Sequence, residues 1–164
     1  MKNEHKPVKN ILLFFGMGAI LVGIFAIAGG IFGATFTYVN IASEKITTPA
    51  DASIPNTPVS GPLTLLAQAK VIRKHMLTMS GGKTYAEMSR TVQKLDSDGA
   101  LVFNEDGSPL MIPNEARNTW ITATTLTTAL NLGILAYAFS AFIVVIGFMS
   151  ILEGVIFISI SRLL

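Results

Sequence analysis

The sequence predicts an all-α membrane protein: an antiparallel two-helix transmembrane hairpin joined by a small, mainly helical extracytoplasmic domain with one short β-hairpin. Three observations lead there. Two stretches, Asn10 to Ser43 and Asn118 to Leu152, carry no charge, and each exceeds the roughly 20 mostly apolar residues that a helix needs to cross a bilayer's hydrocarbon. Both stretches carry small residues at alternating three- and four-residue steps, which places those residues along one helical seam. Basic residues mark the ends, with Lys2, Lys6 and Lys9 before the first stretch and Arg162 after the second. The positive-inside bias then puts both termini in the cytoplasm and the central loop outside a cell membrane.

Composition narrows the classes further. Charged residues make up 13% of the chain against 51% hydrophobic, where soluble proteins average about 25% charged, so a soluble globular reading is set aside. The net charge is only +2 and the bases are mixed with acids, so there is no nucleic-acid footprint. The absence of cysteine removes disulfides, thiolate metal sites and lipid-modified cysteine.

Residues 1–9 read as a cytoplasmic tail and 10–43 as the first span. The seam of that span is Gly16, Ala19, Gly23, Ala26, Gly30 and Gly33, continuing to Thr37. The lysine-rich start and Ala26-Ile27-Ala28 resemble a cleavable leader. The apolar run, however, continues through Phe32, Phe36 and Val39, beyond the 7–15 residues of a leader's apolar region, so the segment is expected to stay as a span. Residues 44–61 hold Pro49, Pro55 and Pro58 among small polar residues, the composition of an extended linker with polyproline character. Residues 62–113 form the extracytoplasmic domain. There Ser60-Gly61-Pro62 offers a helix start, and Leu65, Leu66, Ala69, Ile72, Met76 and Met79 recur at helical spacing until Gly81 and Gly82. Lys70, Arg73 and Lys74 lie on the other side of this amphipathic helix, as a solvated face or as contacts to anionic headgroups or an acidic partner.

Thr84 and Glu87 have the form of a capping box opening a short helix through Ser89 or Val92. Asp98-Gly99 and Glu105-Asp106-Gly107 then punctuate the apolar runs Ala100 to Phe103 and Leu110 to Ile112, which suggests a small hairpin. Pro113 and Asn114 look like the lead-in and N-cap of a last helix, 114–161, with Glu115 in the first turn where the helix dipole favours an acid. At 1.5 Å per residue that helix measures about 70 Å, more than twice the hydrocarbon thickness. Its first turns, with Thr119, Trp120, Thr124 and Thr127, therefore belong to the interface. Residues 162–164 form a short cytoplasmic end. The second seam is Ala129, Gly133, Ala136, Ser140, Gly147, Ser150 and Gly154, broken only at Ile143.

Antiparallel pairing within the chain opposes Gly16 with Gly154, Gly23 with Gly147, and Thr37 with the turn from Ala129 to Gly133. The same seam also fits a homo-oligomer or docking on a larger complex. Handedness stays open, because Ala19-x-x-x-Gly23, Gly29-x-x-x-Gly33 and Ser150-x-x-x-Gly154 suit a right-handed crossing as well.

Candidate chemistry is sparse. Glu153 is the one ionisable residue placed to sit inside the bilayer, which makes it a candidate functional acid. Its bland reading is a carboxylate near the inner interface, neutralised by Lys9, by Arg162 or by protonation. The string Ser80-Gly81-Gly82-Lys83-Thr84 ends like a phosphate loop, but Leu77 stands where that motif needs its first glycine. Asp96, Asp98, Asn104, Glu105 and Asp106 gather oxygens without the spacing of a calcium loop, and read as turn-forming residues. His75, beside Arg73 and Lys74, reads as a surface helix residue.

Three loop strings carry a resemblance: Pro58-Val59-Ser60-Gly61-Pro62, Gly81-Gly82-Lys83-Thr84-Tyr85-Ala86-Glu87-Met88 and Pro113-Asn114-Glu115-Ala116-Arg117. With the Ala/Leu-rich span around Asn131-Leu132-Gly133, they look like a family of small actinobacterial two-span membrane proteins. Many members of that family carry the label aromatic ring-opening dioxygenase. The resemblance implies the membrane fold. The label implies ferrous iron held by two histidines and a carboxylate, for which the chain has only His5 and His75, expected on opposite sides of the membrane. No cofactor, metal or small-molecule substrate is therefore expected. The sequence reading is a non-enzymatic membrane protein acting through protein contacts, as an accessory or scaffold subunit. Its partners would be the bilayer and another protein or further copies of itself. A small oligomeric pore or proton-coupled protein using Glu153 is the alternative.

Overall fold

The computed structural model describes residues 6–164. In chain order these form α1 (Lys6–Ser43), α2 (Pro62–Met79), a 3-10 turn (Tyr85–Glu87), β1 (Thr91–Gln93), β2 (Met111–Pro113) and α3 (Glu115–Leu163). They sort into two compact units. One comprises the chain through Ile46, Ser60–Pro62 and Leu132–Leu164; the other comprises Thr47–Val59 and Leu63–Asn131. The long helix α3 contributes residues to both.

The first unit is α1 with the later part of α3, and both helices are long and apolar enough to cross a membrane. Among the described residues helix α1 already includes Lys6–Lys9, ahead of the boundary expected at Asn10. At the other end α3 continues past Ser161 to Leu163. Polar side chains within these helices return their protons to the preceding turn. Thr35 bonds the Ile31 carbonyl at 2.9 Å, Thr37 that of Gly33 at 2.8 Å, Asn40 that of Phe36 at 2.7 Å and Ser159 that of Val155 at 2.8 Å. Such groups need no water to be satisfied. Tyr137 donates to the Ser60 carbonyl at 2.5 Å and so holds the returning chain within this unit.

The second unit corrects two expectations. The proline-rich segment is a closed loop instead of an extended linker. Thr48 is 1% exposed, its N–H bonds the Thr57 carbonyl at 3.0 Å, and its carbonyl accepts from Asn56 N–H at 3.0 Å. The Thr48 hydroxyl donates to Ile54 and accepts from Thr57 N–H. One buried threonine thus supplies the hydrogen bonds that the three prolines cannot, and Asn56 completes the reversal at φ +50°, a conformation asparagine tolerates. The loop is clasped to α2 by Asp51, which accepts from Lys74 at 2.9 Å and pairs with His75 at 3.0 Å.

The unit is also mixed rather than mainly helical. The capping box at Thr84 forms, with Glu87 accepting from the Thr84 N–H at 2.7 Å and hydroxyl at 2.8 Å. It nucleates only the 3-10 turn, after which Met88 is extended. Beyond it the chain reverses too often for a helix. Asp96 caps one reversal through the amides of Asp98 and Ala100, and Asp106 caps the next through Ser108. The strand ladder joins β1 to β2, with Val92 opposite Ile112. Leu95–Leu101 and Phe103–Pro109 are isolated bridges flanking the two reversals. Leu110 N–H bonds the Val102 carbonyl at 2.8 Å and Phe103 bridges Pro109, so the runs Ala100–Phe103 and Leu110–Ile112 do meet across the second reversal, while Met111 and Ile112 pair onward with β1.

The helix ends follow their local chemistry. Gly81 (φ +63°) and Gly82 (φ +83°) close α2, with Gly82 N–H on the Leu77 carbonyl and Gly81 N–H on that of Thr78, the paired bonds of a glycine stop. The phosphate-loop look-alike is this stop followed by the capping box. Asn114 accepts from Arg117 N–H at 3.4 Å and donates to the Ser89 carbonyl at 3.0 Å, so it caps α3 and ties it to the preceding segment. Arg117 lies 3.9 Å from the centre of the Tyr85 ring. Met76, Met88, Trp120 and Ala123 form a buried cluster in this unit, where Val59, Leu65 and Val71 are buried as well.

The clasp has a defined pH dependence. The Asp51 carboxyl is held below its ordinary value, first by the Lys74 hydrogen bond and then by that from His75. Its contribution is present above the ordinary aspartate range and is lost as pH falls through the lowered value. Asp51 is solvent-exposed, so little global stability is at stake. Asp51→Asn should leave the thermal midpoint nearly unchanged while raising amide exchange at Thr48 and Asn56, and acidification that continues from the ordinary aspartate range, about 3.9, down through the lowered value should reproduce that in the unsubstituted chain.

Candidate functional site

The glycines at seven-residue spacing are where the two long helices meet. Gly16, Gly23 and Gly30 are the buried residues of α1, and Ser140, Gly147, Gly154 and Ser161 recur at the same interval on α3. A methyl added at Gly23 would lie 2.5 Å from the Gly147 carbonyl oxygen, and one at Gly147 would lie 2.7 Å from the Gly23 carbonyl oxygen. At Gly16 and Gly154 the corresponding distances are 2.8 and 2.5 Å, and Gly30 faces the Ser140 carbonyl at 2.7 Å. The α-hydrogens thus point at facing carbonyl oxygens, the geometry of weak Cα–H···O contacts. Ser150 adds a direct bond, its hydroxyl donating to the Ala19 carbonyl at 2.8 Å.

Each glycine also receives a large side chain from the other helix. Ile158 sits over Gly16, Ile151 over Gly23 and Val144 over Gly30, while Ile20 sits over Gly154 and Ile27 over Gly147. Every one of these β-branched residues lies four positions after a seam residue of its own helix. Small-residue spacing alone misses this. The usable signal is the step from Gly16 to Ile20, Gly23 to Ile27, Ser140 to Val144, Gly147 to Ile151 and Gly154 to Ile158. Ile143, the apparent break, is half-buried, and its neighbour Val144 takes the seat.

The remaining seam positions divide. Ala19, Ala26, Gly33, Gly133 and Ala136 are half-buried, whereas Ala129 is exposed and lies off the seam. Gly29, half of the Gly29-x-x-x-Gly33 pair, would meet nothing within 4 Å as alanine. A contact repeating every seven residues is the pattern of left-handed coiling, so the right-handed reading of that pair does not describe this seam. Glu153 is exposed, next to the seam but outside it. Among the described residues neither Lys9 nor Arg162 forms an ion pair with it.

In the second unit the three basic residues of α2 part company. Lys74 is engaged by Asp51. Lys70 and Arg73 border a groove of about 220 Å³ between α2 and residues 115–131, floored by Leu66, Ala69, Ile72, Met76 and Trp120. Thr124, Thr127 and Asn131 border it from α3. A more open depression on the Tyr85 side of Trp120 is lined by Ile121, Thr124 and Thr125 and by no charged residue. His75 belongs to the Asp51 clasp, and His5 lies outside the described residues. No family model, curated protein or solved structure matches this chain.

The seam predicts an uneven response to alanine. Gly23→Ala or Gly147→Ala should destabilise the helix pair by about 1–3 kcal/mol through overpacking against backbone, despite alanine's helix advantage of up to about 1 kcal/mol. Gly18→Ala and Gly29→Ala, with open space around the new methyl, should be neutral or slightly stabilising. Unfolding of the purified variants in mild detergent ranks the four.

Proposed function

We propose that the chain is an integral membrane protein whose two long helices cross the bilayer as an antiparallel hairpin, with both termini cytoplasmic, and that it serves as a scaffold or accessory subunit through protein contacts. The observation that carries this reading is the seam's closure within one chain, which leaves an outer surface of large apolar side chains. Only 11% of the residues in the most apolar window of each helix are buried, whereas a core helix of a soluble protein buries most of its residues. Phe14, Phe25 and Phe32 on α1 and Phe139, Phe142 and Phe148 on α3 are between 57% and 75% exposed. At about 1.5–3 kcal/mol per large apolar side chain, keeping these six in water would cost about 10 kcal/mol, as much as the whole stability of a typical domain. Hydrocarbon around them removes that cost.

A seam held by backbone contact supports a stiff hairpin, which is what a scaffold requires. Glu153, exposed on the outer face, is then the natural contact for a cationic group on a partner protein. Affinity purification from native membranes in mild detergent should recover a stoichiometric membrane-protein partner. Glu153→Gln should lower its recovery several-fold without lowering the chain's own level in the membrane. If Glu153→Gln leaves recovery intact and instead abolishes proton flux in reconstituted vesicles, the oligomeric pore reading replaces this one.

A further inference from the structure

The groove beside α2 differs in kind from the seam. At about 220 Å³ it is larger than the 150 Å³ apolar cavity that admits benzene and smaller than the roughly 300–1,000 Å³ pockets that enclose drug-sized ligands. Such a space takes a stretch of a single hydrocarbon chain. Its floor is apolar, with Leu66, Ile72, Met76 and Trp120, and no carboxylate lines it. Two cations stand at its border, Lys70 and Arg73, one helical turn apart on α2. Among the described residues neither forms an ion pair.

We propose that this groove binds an anionic phospholipid, with an acyl segment along the apolar floor and the phosphate between Lys70 and Arg73; the assignment rests on the membrane reading above. The two halves of the argument are independent. An apolar floor is most stable when hydrocarbon displaces its water, and a free inorganic anion would leave it wet. The unpaired cations call for an anion, and the planar arginine fork matches phosphate oxygens, so a neutral lipid would leave them without a partner. Position agrees, since Trp120, Thr124 and Thr127 belong to the stretch whose composition suits the membrane interface. Asn131, the last lining residue, directly precedes the apolar run from Leu132.

Trp120 is the only tryptophan in the chain, so its fluorescence reports on the groove. The full chain is reconstituted in phosphatidylcholine vesicles containing a small fraction of lipid with brominated acyl chains, which quench tryptophan on contact. Brominated phosphatidylglycerol should quench Trp120 more strongly than brominated phosphatidylcholine at equal mole fraction. Lys70→Gln combined with Arg73→Gln should cut that preference at least about five-fold, the factor expected from one basic residue near an anionic surface. Lys83→Gln combined with Arg90→Gln removes the same charge elsewhere on the unit and should preserve the preference. Equal quenching by both lipids, or equal loss in both double variants, overturns the proposal. So does quenching by a brominated fatty acid alone, which assigns the groove to a free acid. Flotation of the same vesicles after an alkaline wash separates the two levels. A chain that floats without lipid preference contradicts only the groove assignment, and a chain washed off the vesicles contradicts the membrane reading and the groove with it.

Discussion

The interlock between glycine and a β-branched residue sets the geometry on which the first unit depends. Gly16, Gly23, Gly30, Gly147 and Gly154 each admit the facing backbone and also seat an isoleucine or valine from that helix. Neither role survives a side chain at the glycine, because the nearest atoms include a carbonyl oxygen that cannot move without its helix. The seated residues suit the task, since branching at Cβ leaves them little rotamer freedom to lose on packing. On the membrane reading proposed above, burial of apolar surface would no longer drive the helices together, and such dense contact with the occasional hydrogen bond would be what remains. The Ser150–Ala19 bond and the Tyr137–Ser60 bond add directional contacts that hold the register of a repeat that is otherwise nearly self-similar.

That closure bears on the proposed role. A small-residue face already occupied by its own chain is not free to bind another copy, so any partner meets the outer faces with their phenylalanines and Glu153. The second unit is built by different means. Thr48, Asn114 and the Asp96 and Asp106 turns each use a polar group to satisfy backbone where regular structure stops. A small cluster of Met76, Met88, Trp120 and Ala123 holds α2 against the start of α3, and the groove opens along that contact.

The parts of this structure legible in sequence are those fixed by local chemistry. Helix α2, its glycine stop, the Asn114 cap and the long uninterrupted α3 all follow from signals within a few residues. The small-residue stripes were visible for the same reason, being periodic. Their isoleucine and valine partners were not, because in a segment where nearly every residue is apolar a β-branched side chain reads equally well as lipid-facing. The closed loop around Thr48 is hidden in the sequence because prolines suggest extension, while the hydroxyl that closes the loop reaches partners six and nine residues away. The groove was invisible as a site. Lys70, Arg73 and Lys74 read as one cluster, and only the fold shows Asp51 taking Lys74 and leaving the other two beside an apolar floor.

Closure of the seam within one chain is open to a direct test. Because the chain contains no cysteine, Ala19→Cys combined with Ser150→Cys gives a pair whose oxidation in native membranes reads the contact directly. Closure within the chain predicts a disulfide inside single polypeptides, seen as a monomer of altered gel mobility. It also predicts little disulfide from Gly18→Cys combined with Ser150→Cys, since Gly18 faces open space. Disulfide-linked dimers as the main product of the first pair, or no bond at all, would contradict it.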